Sequence, residues 1–324
     1  MAVLTYIEAI ADGLREAMRA DASVILFGED VGAYGGAFKL SKGFLEEFGP
    51  SRVIDTPISE AAIVGAAVGA ALVGLRPVVE MQFADFISNA FTQVVNVAAT
   101  SSYRAGGCVP MVVRAPCGAG THGGPFHSQS IEGYFFHTPG LKIVMPSTPA
   151  DAKRLMLGAI ADPNPVLFLE HKALYRSQRG PVEDGLAVEP LGRAAVRRPG
   201  RDLTVLTYGM MAHRSLEAVE RAAAEGVEAE VIDLRTLLPL DLDAIAESVA
   251  RTSRVLIVHE DRLRGGIGAE IAAHLGEHLF TSLDAPISRI GAPDTPVPYA
   301  PPLETAYLPS VDRIFEAITR LARW

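Results

Sequence analysis

The sequence predicts an α/β protein built from two doubly wound domains, each a parallel sheet covered by helices on both faces. Three observations predict it. Short aliphatic runs, such as SVILF at 23–27 and MVVRA at 111–115, alternate along the chain with longer amphipathic stretches. The alternation fails from about Ser177 to Arg201, where Pro, Gly and charged residues gather, and then resumes. The chain has 324 residues, 49% hydrophobic and 21% charged, which is enough for two cores and argues against disorder. The expected division is 1–176, a linker over 177–201, and 202–324.

Composition narrows the function classes. A formal net charge of −9 argues against a nucleic-acid binder. Cys108 and Cys117 form neither a disulfide framework nor a zinc pattern, which suits a reduced, cytoplasmic setting. The first residues, MAVLTYIEAIADGLREAM, carry acids and read as an amphipathic helix rather than a signal or transit peptide; a mitochondrial matrix setting would apply only to a eukaryotic source. The longest uncharged helical run, Ala61–Leu75, falls short of the roughly 20 residues that cross a bilayer, so no membrane association is expected.

Thr5 followed by Glu8 is a capping box that opens a helix to about Arg19. The strand Ser23–Phe27 leads into Gly28-Glu29-Asp30 and a Gly-rich loop, Gly32 to Gly36. Val53-Ile54 is a brief strand, Pro77–Met81 the next, and Ala84 to about Tyr103 reads as one long helix. After the strand Met111–Ala115 comes a long Gly- and Pro-rich loop, Pro116 to Glu132, with His122 and His127. Lys142–Met145 is a strand, Thr148 caps a helix with Pro149 at its first position, and Val166–Leu169 is the last strand of this half. In the second half, strands fall at Leu203–Thr207, Ala229–Leu234, Arg254–His259 and Pro286–Ile290, with helices between and after them. Gly226 stands where a helix C′ glycine belongs.

The chain is organised around Ile54–Gln82. Ser59 is the expected N-cap, Glu60 the first helical residue, and the run behind it is apolar on every face, so this helix should be buried all round. Gly65 and Gly69 share one face and cost the helix about 1 kcal/mol each against Ala, which close packing on another helix would offset. Glu60 is either an acid favoured by the helix dipole or a carboxylate held at the rim of a buried element to bond something within. Glu29 and Gln82 follow strands, as does the loop carrying His127, and in open α/β sheets ligands gather at the carboxyl ends of strands. His122 is the competing base in that loop, and both His residues could instead bond the loop's own backbone. Arg264-Gly265-Gly266-Ile267-Gly268 opens a helix but lacks full dinucleotide spacing; a tight turn is the simpler reading.

With these residues in view, a family resemblance emerges. GED at Gly28–Asp30, DTPISE at Asp55–Glu60, GLRPVVEMQF at Gly74–Phe83 and FHSQS at Phe126–Ser130 closely resemble the β subunit of the thiamine-diphosphate-dependent decarboxylase component of 2-oxoacid dehydrogenase complexes. MQFADF with the HSQS loop is more similar to the branched-chain type than to the pyruvate type. The resemblance covers nearly the whole chain. It implies a pyrimidine-binding domain, a transketolase-like C-terminal domain, an α2β2 tetramer, and a helix after Glu60 that packs on its twin.

The resemblance also assigns roles. Glu60 would bond N1′ of the aminopyrimidine, and a helix start favours the ionised form this needs. Phe86 would stack on the ring, and Glu29, Ile58, Ser59 and Gln82 would line the same pocket. His127 would serve acyl transfer to the lipoyl group. Diphosphate and Mg2+ would be held by a motif on the α subunit that is missing here, so the chain would be inactive alone. Asp162 and Asn164 are similar to potassium-site residues of relatives, or form a capped turn. The implied partners are the α subunit, a dihydrolipoyl acyltransferase core and a small 2-oxoacid. Competing readings are a pyruvate or acetoin dehydrogenase β subunit, a nicotinamide-dependent oxidoreductase, and a non-catalytic scaffold.

Overall fold

The computed structural model describes residues 1–324. In chain order the elements are β1 (Ala2–Thr5), α1 (Tyr6–Ala20), β2 (Val24–Gly28), α2 (Phe44–Phe48), β3 (Val53–Asp55), α3 (Glu60–Leu72), β4 (Arg76–Glu80), α4 (Ser101–Ala105), β5 (Val112–Cys117), α5 (Glu132–Phe135), β6 (Lys142–Val144), α6 (Pro149–Ala161), β7 (Val166–His171), α7 (Leu174–Ser177) and β8 (Arg179–Val182). There follow β9 (Ala195–Arg198), β10 (Leu203–Thr207), α8 (Met210–Ala224), β11 (Ala229–Asp233), β12 (Thr236–Leu238), α9 (Leu242–Thr252), β13 (Val255–Arg262), α10 (Ile267–His278), β14 (Ser288–Ala292), α11 (Pro301–Tyr307) and α12 (Val311–Leu321).

Two compact units result: Met1–Cys117 with His137–Leu191, and Gly118–Phe136 with Gly192–Trp324. This differs from the contiguous division read from sequence. The stretch 177–201 is not a bare linker, because it contains β8, antiparallel to β1, and β9, antiparallel to β11. Its Pro and charged residues suit edge strands, which expose one row of backbone groups. The loop Gly118–Phe136 belongs to the second unit although it leaves β5 of the first.

In the first unit the parallel sheet runs β6-β7-β5-β4-β2-β3. Register places Gly28 beside both Asp55 and Glu80, so β2, β3 and β4 end level with one another. The capping box of α1 forms as expected, with the Thr5 amide donating to Glu8 Oε2 at 2.7 Å. That helix buries Tyr6, Ile10, Leu14 and Met18, a four-residue spacing that keeps one face inward. Helix α3 packs on β4 and on the segment after it. This segment is not the single α-helix expected: it winds as a 3-10 helix over Ala84–Ala90 and as a π-helix over Gln93–Ala98. Ser88 Oγ donates to the Asp85 carbonyl at 3.0 Å, the kind of local bond that competes with regular helix.

The second unit has the sheet order β14-β13-β10-β11-β9, parallel except for edge strand β9. Its core joins Leu203, Val205, Val231 and Val258 of the strands to Ala218 and Ala222 of α8 and to Ile314 and Ile318 of α12. Gly226 occupies the C′ position of α8 with φ +87°, as expected. The turn before α10 is governed by packing. A Cβ at Gly268 would lie 2.6 Å from His259 Nε2, so the glycines there admit the buried His259 ring rather than a phosphate.

Candidate active site

The level carboxyl ends of β2, β3 and β4 deliver the polar residues of the first unit. Glu29 follows β2 directly and is buried. Asp30 beside it adopts φ +58°, a left-handed conformation that Asp tolerates better than most residues. Asp55 ends β3, and its carboxylate accepts the amides of Gly32 at 2.6 Å and Ala33 at 3.2 Å, latching the Gly-rich loop. Glu60 opens α3 and is 8% exposed. Gln82 follows β4 and donates through Nε2 to Asp30 Oδ2 at 3.3 Å.

Ser59 stands at the N-cap of α3, but its hydroxyl makes no capping bond. The expected role is corrected: the Ser59 backbone amide donates instead to the Glu29 carboxylate. Burial pushes the Glu29 carboxyl above its usual range, and the negative charges of Glu60 and Asp30 add to that, while the Ser59 amide acts against it. Glu29 Oε1 is buried without a hydrogen-bond partner. Glu60 Oε2 accepts from Asn89 Nδ2 at 3.2 Å, leaving its other oxygen for a ligand. The pair can therefore meet a polar ring that presents donors: one carboxylate partly oriented, the other holding an unsatisfied oxygen.

The apolar side of the site is aromatic. Phe86 lies edge-on to Phe83 with centroids 5.8 Å apart; Phe83 meets Phe38 at 5.5 Å and Phe38 meets Tyr175 at 5.1 Å. This row ends on a buried ion cluster: Tyr175 donates to Glu170 Oε2 at 2.7 Å, and Arg114 bridges Glu170 and Glu80. Burial would lower the Arg114 pKa, but the two carboxylates more than offset it and hold the guanidinium charged. Ile58 is 83% exposed and stands ahead of Glu60 on the open face.

His127 belongs to the second unit, where it follows a 3-10 turn, Gly124–Phe126, and is half-buried. His122, the alternative base, is already engaged: its Nδ1 lies 2.7 Å from Glu304 Oε2. Asp162 and Asn164 form the capped turn at the end of α6. Asp162 Oδ1 accepts from the Asn164 amide at 2.9 Å, and its other oxygen takes the Lys142 ammonium. No group of three or more His, Cys, Asp or Glu side chains is placed to hold a metal ion.

Sequence reasoning sets Glu29, Gln82 and the His127 loop at strand ends; the structure keeps Glu29 and Gln82 at the ends of β2 and β4 with Glu60 near Glu29, and puts His127 in the second unit. Sequence reasoning misses Asn89, which an unbroken α-helix would not have singled out. It also misses Asp55 as the loop latch, although an Asp just after a short strand is a recognisable backbone acceptor.

Two family models match in the same order as the two units. "Transketolase, pyrimidine binding domain" matches residues 2–178, and "Transketolase, C-terminal domain" matches 192–314. This defines the class as a transketolase-type chain. The chain is 48% identical over 327 residues to the 2-oxoisovalerate dehydrogenase subunit beta of Bacillus subtilis (strain 168), covering 100% of both. It is 43% identical to the pyruvate dehydrogenase E1 component subunit beta of the same organism, covering 99% of both. It is 44% identical to the acetoin:2,6-dichlorophenolindophenol oxidoreductase subunit beta, also from that strain, covering 98% of this chain and 97% of that one. Among solved structures, a split gene transketolase described as an inactive beta4 tetramer superposes with a TM-score of 0.81 at 23% identity, covering 99% and 98% of the two chains; this bears on fold alone. The chain belongs to the β-subunit family of thiamine-diphosphate-dependent 2-oxoacid dehydrogenases.

Proposed function

We propose that this chain is the β subunit of the decarboxylating component of a branched-chain 2-oxoacid dehydrogenase, working on 3-methyl-2-oxobutanoate-like substrates with an α subunit. The observation that carries it is the pair Glu60 and Glu29, one oriented by Asn89 and the other with a buried oxygen free, at the ends of adjacent strands. These residues fit an aminopyrimidine, whose amino group and protonated ring nitrogen offer donors. When bound, thiamine diphosphate supplies the electron sink for decarboxylation. Glu60 accepts the proton-bearing ring nitrogen, Asn89 fixes the Glu60 rotamer, and Glu29 and Gln82 close the polar side. Phe86 offers the stacking face. His127 moves a proton to the lipoyl dithiolane during acyl transfer. Mg2+ and the diphosphate fall to the α subunit.

The partners follow from the same reading. The helix α3 is buried on one side only, through Ile63, Val64, Ala67, Val68 and Ala71. Its other side, expected from sequence to be covered, exposes Ala62, Ala66, Gly69, Leu72 and Val73. Beside it lies an apolar groove of about 650 Å3 lined by Ile25, Phe27, Ile54, Ile63, Ala66 and Ala70. An apolar helix with one bare face supports assembly into an α2β2 tetramer. A dihydrolipoyl acyltransferase core then receives the acyl group, and the cytoplasm is the proposed setting.

The branched-chain assignment is favoured by the 48% identity to the 2-oxoisovalerate enzyme over the 43% and 44% to the pyruvate and acetoin enzymes. Two measurements test the proposal in the assembled enzyme. Glu60→Gln should lower turnover by about 100-fold or more with the tetramer intact; turnover within threefold of wild type would leave the site without its central group. Decarboxylation of 3-methyl-2-oxobutanoate should exceed that of pyruvate, and a pyruvate preference of more than about tenfold, or roughly 1.4 kcal/mol, would move the chain to the pyruvate type.

A further inference from the structure

The loop that carries His127 is held by acids that no part of the proposed chemistry uses. Three tethers fix it within the second unit. At its base, the Ala119 amide donates to Glu260 Oε1 at 2.6 Å, and the Gly118 amide closes the loop on the Gln129 carbonyl at 3.2 Å. At its far end, Tyr208 donates to Glu132 Oε1 at 2.8 Å. At its tip, Glu304 of α11, 1% exposed, accepts the His122 backbone amide at 3.2 Å and faces His122 Nδ1 at 2.7 Å.

The tip tether is the one under load. His122 has φ +60°, a left-handed conformation that L-residues with a Cβ rarely adopt. Two bonds to one buried carboxylate hold it there. The next turn depends on it: Gly124 also has positive φ, +64°, and a Cβ there would lie 2.3 Å from the Tyr299 ring, so the backbone is pressed flat on that ring. Gly123 in turn backs onto His127 Cβ, at 2.8 Å from its own ideal Cβ position. Force applied by Glu304 at His122 thus reaches His127 through two glycines and one aromatic wall.

We infer that Glu304 is a positioning residue for acyl transfer: by holding His122 left-handed it sets where His127 presents its imidazole. The inference rests on the reading of His127 as the acyl-transfer group. It separates two half-reactions. Decarboxylation uses Glu60 and Glu29, whereas acyl transfer needs a placed His127, so a loosened loop should injure the second and spare the first.

The experiment uses the assembled α2β2 enzyme with Glu304→Gln. A glutamine keeps the shape but removes the charge and one of the two acceptor oxygens, so the charge-assisted bonds that hold His122 are weakened. Hydrogen exchange of the peptides spanning 118–131 should quicken. Acylation of a free lipoyl domain should fall by about tenfold to a hundredfold, the cost of a misplaced catalytic group. Decarboxylation with 2,6-dichlorophenolindophenol as acceptor should stay within about twofold. Unchanged exchange, or equal loss of both half-reactions, overturns the inference. His122→Asn guards against a misfolded Glu304 variant. Asn tolerates the left-handed backbone and retains its amide bond to Glu304, so it should fold and show a smaller loss confined to acylation; a loss larger than that of Glu304→Gln counts against the inference. His127→Gln separates the two claims: if it leaves acylation intact, the reading of His127 fails, while the exchange result for Glu304→Gln still reports on the tether.

Discussion

Glu132 has no exposed surface. Burial, followed by the nearby Asp261 charge, pushes its carboxyl up to about 8, and burial pushes Asp261 to about 6. A carboxyl raised in the folded state holds its proton more tightly there than in the unfolded chain. Below the unfolded value of 4.5 both states are protonated and nothing is lost; between 4.5 and about 8 stability falls as pH rises, and above that the full penalty stands. Glu132→Gln removes the ionisable group while its amide oxygen can still accept the Tyr208 hydroxyl. The variant should match wild type near pH 5 and exceed it by several kcal/mol at pH 9. Thermal melts across that range check it, and parallel curves would show that Glu132 does not ionise as described. His259 has the opposite sign. Burial lowers it from 6.5 to about 4, so stability is lost as pH falls through that window. None of this was legible in the sequence, because burial of a polar residue depends on what packs over it. Glu60 stands out in the sequence as the single acid at the head of a run of small apolar residues; Asn89, Asp55 and Glu304 look like ordinary surface polar residues until the backbone is placed.

Among the elements, α3 shows what sequence patterning can and cannot decide. An apolar run with two glycines one turn apart signals close packing, and it was read as burial on all sides. The chain by itself covers only one side of it. Gly69 makes this testable, since a Cβ there would meet nothing within 4 Å. Gly69→Ala should stabilise the lone chain by up to about 1 kcal/mol through helix propensity and reduced freedom of the unfolded state. The same methyl should weaken assembly if another backbone approaches there. Chemical denaturation of the lone chain and sedimentation of the assembled enzyme measure the two effects; a stabilised chain that assembles as tightly as wild type would show that no helix packs against this face. The inner strands were legible to within two or three residues because aliphatic runs are short and bounded by turn residues, whereas the short strands β1, β8, β9 and β12 were not. The segment 84–105 was not, because its apolar spacing fits an α-helix while the backbone alternates between tighter and looser turns. The Arg114 cluster was invisible for another reason: Glu80, Arg114 and Glu170 lie on separate strands that only the sheet brings side by side. Arg114→Leu would leave two carboxylates buried without a counter-charge and should cost about 3–5 kcal/mol. A midpoint shift in urea of less than a third of that would mean the carboxylates simply take up protons.

At the scale of the whole molecule, two α/β units were legible from the break in alternation, but their exact membership was not. The loop that bears His127 follows a strand of the first unit, yet its bonds run to β13 and α11, which lie far along the chain. Sequence distance hides such a return: Glu29 and Glu60 belong to one unit and His127 to the other. In the proposed subunit arrangement this chain offers the ring-binding carboxylates and an aromatic face, and the α subunit holds Mg2+ and the diphosphate. A ligand that binds only the folded assembly stabilises it by mass action, by about 2.7 kcal/mol at a concentration 100 times its Kd. Thiamine diphosphate with Mg2+ should therefore raise the melting temperature of the αβ assembly by several degrees and leave that of the isolated chain unchanged. With Glu60→Gln in the assembly the rise should shrink, since the α-held diphosphate still binds while the ring loses its anionic partner. An equal rise in the isolated chain would mean that this chain binds the whole cofactor itself, and an undiminished rise in the variant would mean that the ring does not rest on Glu60.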